Sequence, residues 1–133
     1  MLKTTFIALA LVSLASCGGD SSNDDGYEQA LAQANTAQAQ AIALAVPTPC
    51  NAAAQCAVLT LTSASGHCAV PDYHAYSLVS PTADAASAAA PNERLLAEHA
   101  VSLSPQAACP DSITVPPTAT CVANTCQLVL PAN

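Results

Sequence analysis

Large side chains are scarce in this chain: among 133 residues there is no tryptophan, one phenylalanine and three tyrosines. Aromatic rings bury the most area per residue, so their scarcity removes the easiest route to a substantial core. Positive charge is nearly absent too, with Lys3 and Arg94 set against nine carboxylates. No basic patch can form, which excludes nucleic-acid binding and electrostatic adhesion to anionic headgroups. No apolar run reaches the ~20 residues that a membrane-spanning helix needs. There is no Gly-x-Ser-x-Gly elbow, and no two cysteines are spaced Cys-x2-Cys.

Alanine fills the gap, with 31 residues, and it inflates the 52% hydrophobic content. Beyond residue 16, Leu, Ile, Val and Phe together supply only 20 of 117 residues. A composition so poor in large aliphatics, with a net negative charge, leans toward disorder. One small domain with a thin core is expected, and something besides burial must offset the entropy of folding.

The N-terminus reads as a targeting segment. Lys3 supplies a positive start, and Thr4 to Ala15 is a short apolar run with Phe6, Ile7, Leu9, Leu11, Val12 and Leu14. Its length is that of a signal-peptide core. The run ends in Leu14-Ala15-Ser16-Cys17, which resembles the lipobox of bacterial lipoproteins. The resemblance implies a signal peptide over residues 1–16 and a diacylglyceryl thioether on Cys17. It also implies lipoprotein-processing enzymes as transient partners. Several acyl chains on one residue anchor a protein stably, whereas one does so marginally. Gly18 follows the cysteine where an inner-membrane retention signal would place Asp, so an outer-membrane location is expected, with the body periplasmic or surface-facing.

Six cysteines remain: Cys50, Cys56, Cys68, Cys109, Cys121 and Cys126. An even number in an exported small domain reads as a disulfide framework, the stabilisation that the composition withholds. Six cysteines allow fifteen pairings. Cys50-Asn-Ala-Ala-Ala-Gln-Cys56-Ala-Val-Leu echoes Cys121-Val-Ala-Asn-Thr-Cys126-Gln-Leu-Val-Leu, each a turn between two cysteines followed by a β-prone run. We expect each arm to close locally, Cys50–Cys56 and Cys121–Cys126, leaving Cys68–Cys109. The alternative cross-links the two arms.

Gly18 to Gly26 reads as a flexible acidic tether behind the lipidated cysteine, so that residues 17–26 form one anchoring segment. Residues 27–46 read as an Ala/Gln-rich helix, with Asp25 and Glu28 spaced as a capping box and Pro47 and Pro49 as stops. Tyr27, Leu31, Ala34, Ala41, Ile42 and Ala45 form its apolar stripe, read as packing on the chain's own domain. Within a cysteine-rich domain over 47–133, strands are expected at Cys56–Thr62, Tyr73–Ser80, Ser112–Val115 and Gln127–Leu130, with Ser63–Gly66 as a turn. Ser80-Pro81 opens a helical stretch that Pro91 interrupts, and Asn92–Leu103 resumes it. The fold class is α+β: a small disulfide-stapled domain with a short, partly antiparallel sheet and two helical segments. The cysteine region resembles small six-cysteine bacterial envelope lipoproteins. The resemblance rests on the two cysteine arms and on Cys68-Ala-Val-Pro71-Asp-Tyr73-His-Ala-Tyr76-Ser77. That pattern carries Gly-Gly after the third cysteine, where this chain has Ala69-Val70. The resemblance implies no activity.

No catalytic set is apparent. Ser77 has His74 and Asp72 nearby, but on a strand Asp72, His74 and Tyr76 share one face and Ser77 the other. His67, Tyr73, His74 and Tyr76 are a candidate binding patch, against which stands the reading of the tyrosines as core. Glu93, Arg94 and Glu98 are expected on a solvated helix face, with Arg94–Glu98 as an i,i+4 pair. The leading functional expectation is a non-enzymatic, lipid-anchored envelope lipoprotein, a binding or structural module with an envelope protein as partner and no cofactor. One alternative is a disulfide-rich inhibitor of a protease or other hydrolase, acting through the Asn51–Gln55 or Val122–Thr125 loop. Another is a periplasmic metal or small-molecule binder using His67 and His74.

Overall fold

Alanine at helical spacing, with prolines as stops, produces two long helices. In the computed structural model, which describes residues 23–65, 67–104, 108–109 and 115–132, α1 spans Asn23–Leu44. The expected signal peptide, Cys17 and residues 18–22 of the tether lie outside the described residues, as does most of the expected Ser112–Val115 strand. Helix α1 begins four residues before Tyr27, so Asn23–Gly26 are its first turn and not tether. Asp25 is thus inside the helix and does not cap it, although a carboxylate there still suits the positive end of the helix dipole. Tyr27, Ala30, Ala34, Ala41 and Ala45 are buried, Leu31 is half-buried, and Ile42 is exposed.

The second helix, α2, spans Ala83–Leu103 without a break. Pro91 does not interrupt it. The ring is exposed, so the backbone group left without its partner at that turn faces the wet side of the helix. The start of α2 is not built as a Ser80 cap with Pro81 at the first turn. Instead the Thr82 N–H donates to Ser80 Oγ at 3.3 Å, and Thr82 Oγ1 donates to the Leu44 carbonyl at 2.7 Å, which ties the start of α2 to the end of α1. The helices pack on each other and on the first strand. Ala30, Ala34, Ala64, Ala97 and Ala100 form one core cluster. Small side chains on every facing element let the backbones approach closely, which is what the alanine content is for.

Strands β1 (Cys56–Ser65) and β2 (Cys68–Ser77) form an antiparallel hairpin, longer than the sequence suggests. Ser63–Ser65, expected in a turn, belong to β1, whose last residue, Ser65, pairs with Cys68 of β2, and His67 just before β2 has φ 68°. Pro71 fits in β2 because it faces Thr62, whose N–H points away from β2 to the Glu93 carboxylate. At such a non-hydrogen-bonded pair the missing proline N–H costs nothing. Leu59, Leu61 and Tyr76 meet Ala41, Ala45, Ala83 and Ala86 in a second core cluster.

The remaining strands, β3 (Thr118–Val122) and β4 (Thr125–Val129), make a second antiparallel hairpin rather than joining the first sheet. Their two-residue turn places Ala123 at φ 48° and Asn124 at φ 67°, the type I′ geometry that matches strand twist. Residues 46–50 run between the hairpins. The Val46 carbonyl accepts the Ser77 N–H (2.9 Å), the Pro47 carbonyl accepts the Cys126 N–H (2.8 Å), and the Cys50 N–H donates to the Asn124 carbonyl (3.2 Å). The result is the expected small α+β domain, stapled by three disulfides.

Candidate functional site: a doubly stapled loop pair

The two cysteine arms are cross-linked, not closed on themselves. Cys50 pairs with Cys121 and Cys56 with Cys126, while Cys68–Cys109 is as expected. Cys121 and Cys126 are register partners across the β3–β4 hairpin and so project to one face of it, and the Cys50–Cys56 arm that lies against the hairpin supplies a partner to each. Crossed bridges also constrain more chain. Closing a loop of about 70 residues contributes roughly 4 kcal/mol in the chain-entropy account, against roughly 2 kcal/mol for a ring of about six.

The crossing places two loops side by side. Residues 51–55 make a tight turn with a 3-10 segment at Ala53–Gln55. The Gln55 side-chain carbonyl accepts the Asn51 N–H at 2.8 Å, and the Gln55 N–H donates to the Ala52 carbonyl at 3.0 Å. Asn51 to Ala54 are exposed, as are Val122, Ala123 and Asn124 on the neighbouring turn. Leu78, half-exposed, donates its N–H to the Gln55 carbonyl at 2.8 Å and borders the same surface. The loops carry amide and small apolar groups and no charge.

The candidate patch of His67, Tyr73, His74 and Tyr76 is not assembled. Tyr76 is buried in the core, where the alternative reading put it. His67 sits at the tip of the first hairpin with its ring 5.0 Å from that of Tyr27, and its Nδ1 is buried without a hydrogen-bond partner. His74 lies far along β2, about 20 Å of extended chain away, so the two histidines do not share a ligand. Tyr73 points to the opposite face of β2 from His74.

A polar cluster that sequence reasoning missed lies where α1 and α2 meet the first hairpin. Asp72 Oδ2 accepts hydrogen bonds from Gln38 Nε2 and from His74 Nε2, both at 2.9 Å. Glu93 is fully buried, contrary to the solvated face expected for it. Its Oε2 accepts the Thr62 N–H at 3.0 Å, and its Oε1 has no partner. Burial pushes the Glu93 carboxyl above its ordinary range; the Thr62 N–H opposes this, and the Asp72 charge adds to it. The misreading came from periodicity, since Glu93 belongs to the buried phase of α2 with Ala86, Ala97 and Ala100. Arg94 and Glu98 are exposed, as expected, with Nε and Oε1 3.8 Å apart, an arrangement that adds little stability.

Ser77 is not placed for nucleophilic chemistry. It is fully buried; its hydroxyl donates to the Pro49 carbonyl and accepts the Val79 N–H. Asp72 and His74 do pair, but on the opposite strand face. Between α1 and α2 runs a shallow groove of about 540 Å³ lined by Gln29, Gln33, Thr36, Gln40, Asn92 and Leu96. Compared with protein-family models, with curated proteins and with solved structures, the chain matches none. Among the described residues no helix is long and apolar enough to cross a membrane.

Proposed function

We propose that this chain is an outer-membrane lipoprotein, anchored through an acylated Cys17, whose body is a non-enzymatic binding module. In this reading the module presents the Asn51–Ala54 and Val122–Asn124 loops to an envelope protein. The observation that carries it is the convergence of two exposed, uncharged loops on two neighbouring disulfides. A loop already held in its bound shape loses little entropy on association, so such a surface binds well for its area. Val122 and Leu78 supply apolar contact, and the loop amides supply directional hydrogen bonds. The occupied hydroxyl of Ser77 supports the non-enzymatic part.

The same loop pair supports a second reading, insertion into the cleft of a hydrolase as an inhibitor. Neither loop has Lys or Arg, so a trypsin-like target is disfavoured. Site-specific photocrosslinking in cells tests both readings. A benzophenone side chain at Ala53 and another at Asn124, in the full lipidated chain, are expected to trap one and the same partner. The same probe at Ala85, exposed on α2, is expected to trap none. A hydrolase in the adduct selects the inhibitor reading. Equal labelling from Ala85, or no adduct from either loop, overturns the loop pair as the binding surface.

A further inference from the structure

The outer edge of β2 carries backbone groups that the fold leaves unpaired. Two observations fix their direction. The Thr62 N–H points away from β2 to the Glu93 carboxylate, and the Ser77 N–H points away from β1 to the Val46 carbonyl. Thr62–Pro71 and Cys56–Ser77 are therefore non-hydrogen-bonded pairs, and so are the pairs of the same phase between them, Thr60–Tyr73 and Val58–Ala75. Tyr73 and Ala75 thus aim their N–H and carbonyl groups outward, and Pro71 its carbonyl. None of these groups has a partner among the described residues. We propose that residues 71–75 of this edge take up an extended, basic peptide segment of a partner protein as an additional antiparallel strand, with a lysine or arginine of that segment on Asp72.

The free stretch is bounded and accessible. At one end Pro71 has no N–H to offer, and at the other the Val46 carbonyl already fills the place beside Ser77. Between these limits lie about 16 Å of strand, enough for a five-residue partner segment. Other edges are covered at the corresponding places: Glu93 takes the Thr62 N–H of β1, and the Pro47 carbonyl takes the Cys126 N–H of β4. Pro71 is exposed, and Asp72 to Ala75 are half-buried. A strand added here gains affinity from main-chain hydrogen bonds and specificity from its alternate side chains.

Charge selects the occupant. Asp72 is the register partner of Leu61, a core residue, so its side chain stands on the helix-facing side of the edge strand, where it is 36% exposed. Its Oδ2 is taken by Gln38 and His74, and its Oδ1 has no partner among the described residues. Arg94, the one arginine or lysine beyond residue 16, pairs with Glu98 on the exposed side of α2, while buried Glu93 lies close enough to feel the Asp72 charge. In the antiparallel register the residue opposite Asp72 occupies a non-hydrogen-bonded position, where facing Cα atoms are about 4.5 Å apart and side chains stand closest. A cation there meets Asp72 directly, whereas a carboxylate meets like charge. On the other face of the strand, the partner residue opposite Tyr73 lies against its ring, which suits a β-branched side chain. A second copy of this chain, itself at −7, brings repulsion in place of the missing cation.

The test is independent of the loop pair, whose standing its failure would not change. The full chain, nitrogen-15-labelled in detergent micelles, is titrated with the acetylated and amidated peptide Thr-Thr-Val-Lys-Thr, which sets its valine opposite Tyr73 and its lysine opposite Asp72. Saturation is expected to slow hydrogen exchange at the Tyr73 and Ala75 amides by at least about tenfold and to leave the Asn51–Ala54 and Val122–Asn124 amides unchanged. N-methylation of the peptide valine, whose N–H bonds to the Tyr73 carbonyl, is expected to abolish binding. N-methylation of the lysine, whose N–H points away, is expected to preserve it. Glutamate in place of the peptide lysine, or Asp72→Asn in the protein, is expected to weaken binding about fivefold. Unprotected Tyr73 and Ala75 amides, equal effects of the two N-methylations, or indifference to the lysine charge overturns the proposal. Protection that appears without peptide and grows with protein concentration assigns the edge to a second copy and overturns it as well.

Discussion

At the scale of single residues, Glu93 is the most consequential departure from expectation. Burial on the inner face of α2 raises its carboxyl above the ordinary range, so protonation favours the folded state. The stability it contributes is complete below the pKa of the unfolded chain, about 4.3, and is lost as pH rises through the higher folded value. Glu93→Gln keeps an acceptor for the Thr62 N–H without the charge. Its melting temperature should gain on that of the unsubstituted protein between pH 4 and pH 7, and thermal denaturation at the two pH values reads the difference. A gap that stays constant with pH would sink the assignment. Glu93→Ala strands the Thr62 N–H and should cost about 1–3 kcal/mol. Ala123 is the second such residue. With φ at 48° it occupies the left-handed region that disfavours a side chain. Ala123→Gly should therefore stabilise by about 0.5–1 kcal/mol, measured by urea denaturation.

At the scale of elements, the two hairpins and the two bridges between their arms act together. Cys50–Cys121 and Cys56–Cys126 span 71 and 70 residues and close almost the same loop. Once one is formed, the other closes only a ring of about a dozen residues, worth roughly 3 kcal/mol in the chain-entropy account. Removing either pair as a double serine variant should cost about 3 kcal/mol, and removing both about 7 kcal/mol. Cys68–Cys109 closes its own loop, with a separation of 41, and its removal should cost about 4 kcal/mol. Urea titrations of these four variants test the ordering, and additive losses at the neighbouring bridges would contradict the shared loop. The helices show how much of an element can be read in advance. The proline stops and the alanine stripe of α1 are visible in the sequence. The reach of α1 back to Asn23 and the passage of α2 through Pro91 are not, because packing between the helices outweighs local signals of this size.

At the scale of the whole molecule, the domain is a thin alanine-lined core held by three disulfides, a combination suited to an oxidising compartment. The proposed anchor supplies that compartment. Cys17→Ser should abolish labelling by radioactive palmitate and shift the protein from the membrane pellet to the soluble periplasmic fraction. Retention in the pellet would overturn lipid anchoring through this residue.

The local chemistry of the chain was enough to state the class of fold, the need for disulfides, the run of helix, strands and helix as far as Leu103, and the loops that stand exposed, but not β3, which lies at Thr118–Val122, past the Pro116-Pro117 break, where no strand was expected. Each depends on spacing within a few residues: alanine and proline periodicity, β-branched runs, and an even count of cysteines. Which cysteines join, where Glu93 lies, and why Ser77 and Tyr76 are buried depend on groups that meet only when elements pack. The Thr62 N–H is 31 residues from Glu93, the Pro49 carbonyl is 28 from Ser77, and Cys121 is 71 from Cys50. Contacts at such separations leave no periodicity in a single sequence, since their energy comes from the desolvation and bonding of groups that are strangers along the chain. Tertiary structure alone brings the two loops together and sets two neighbouring disulfides beneath them.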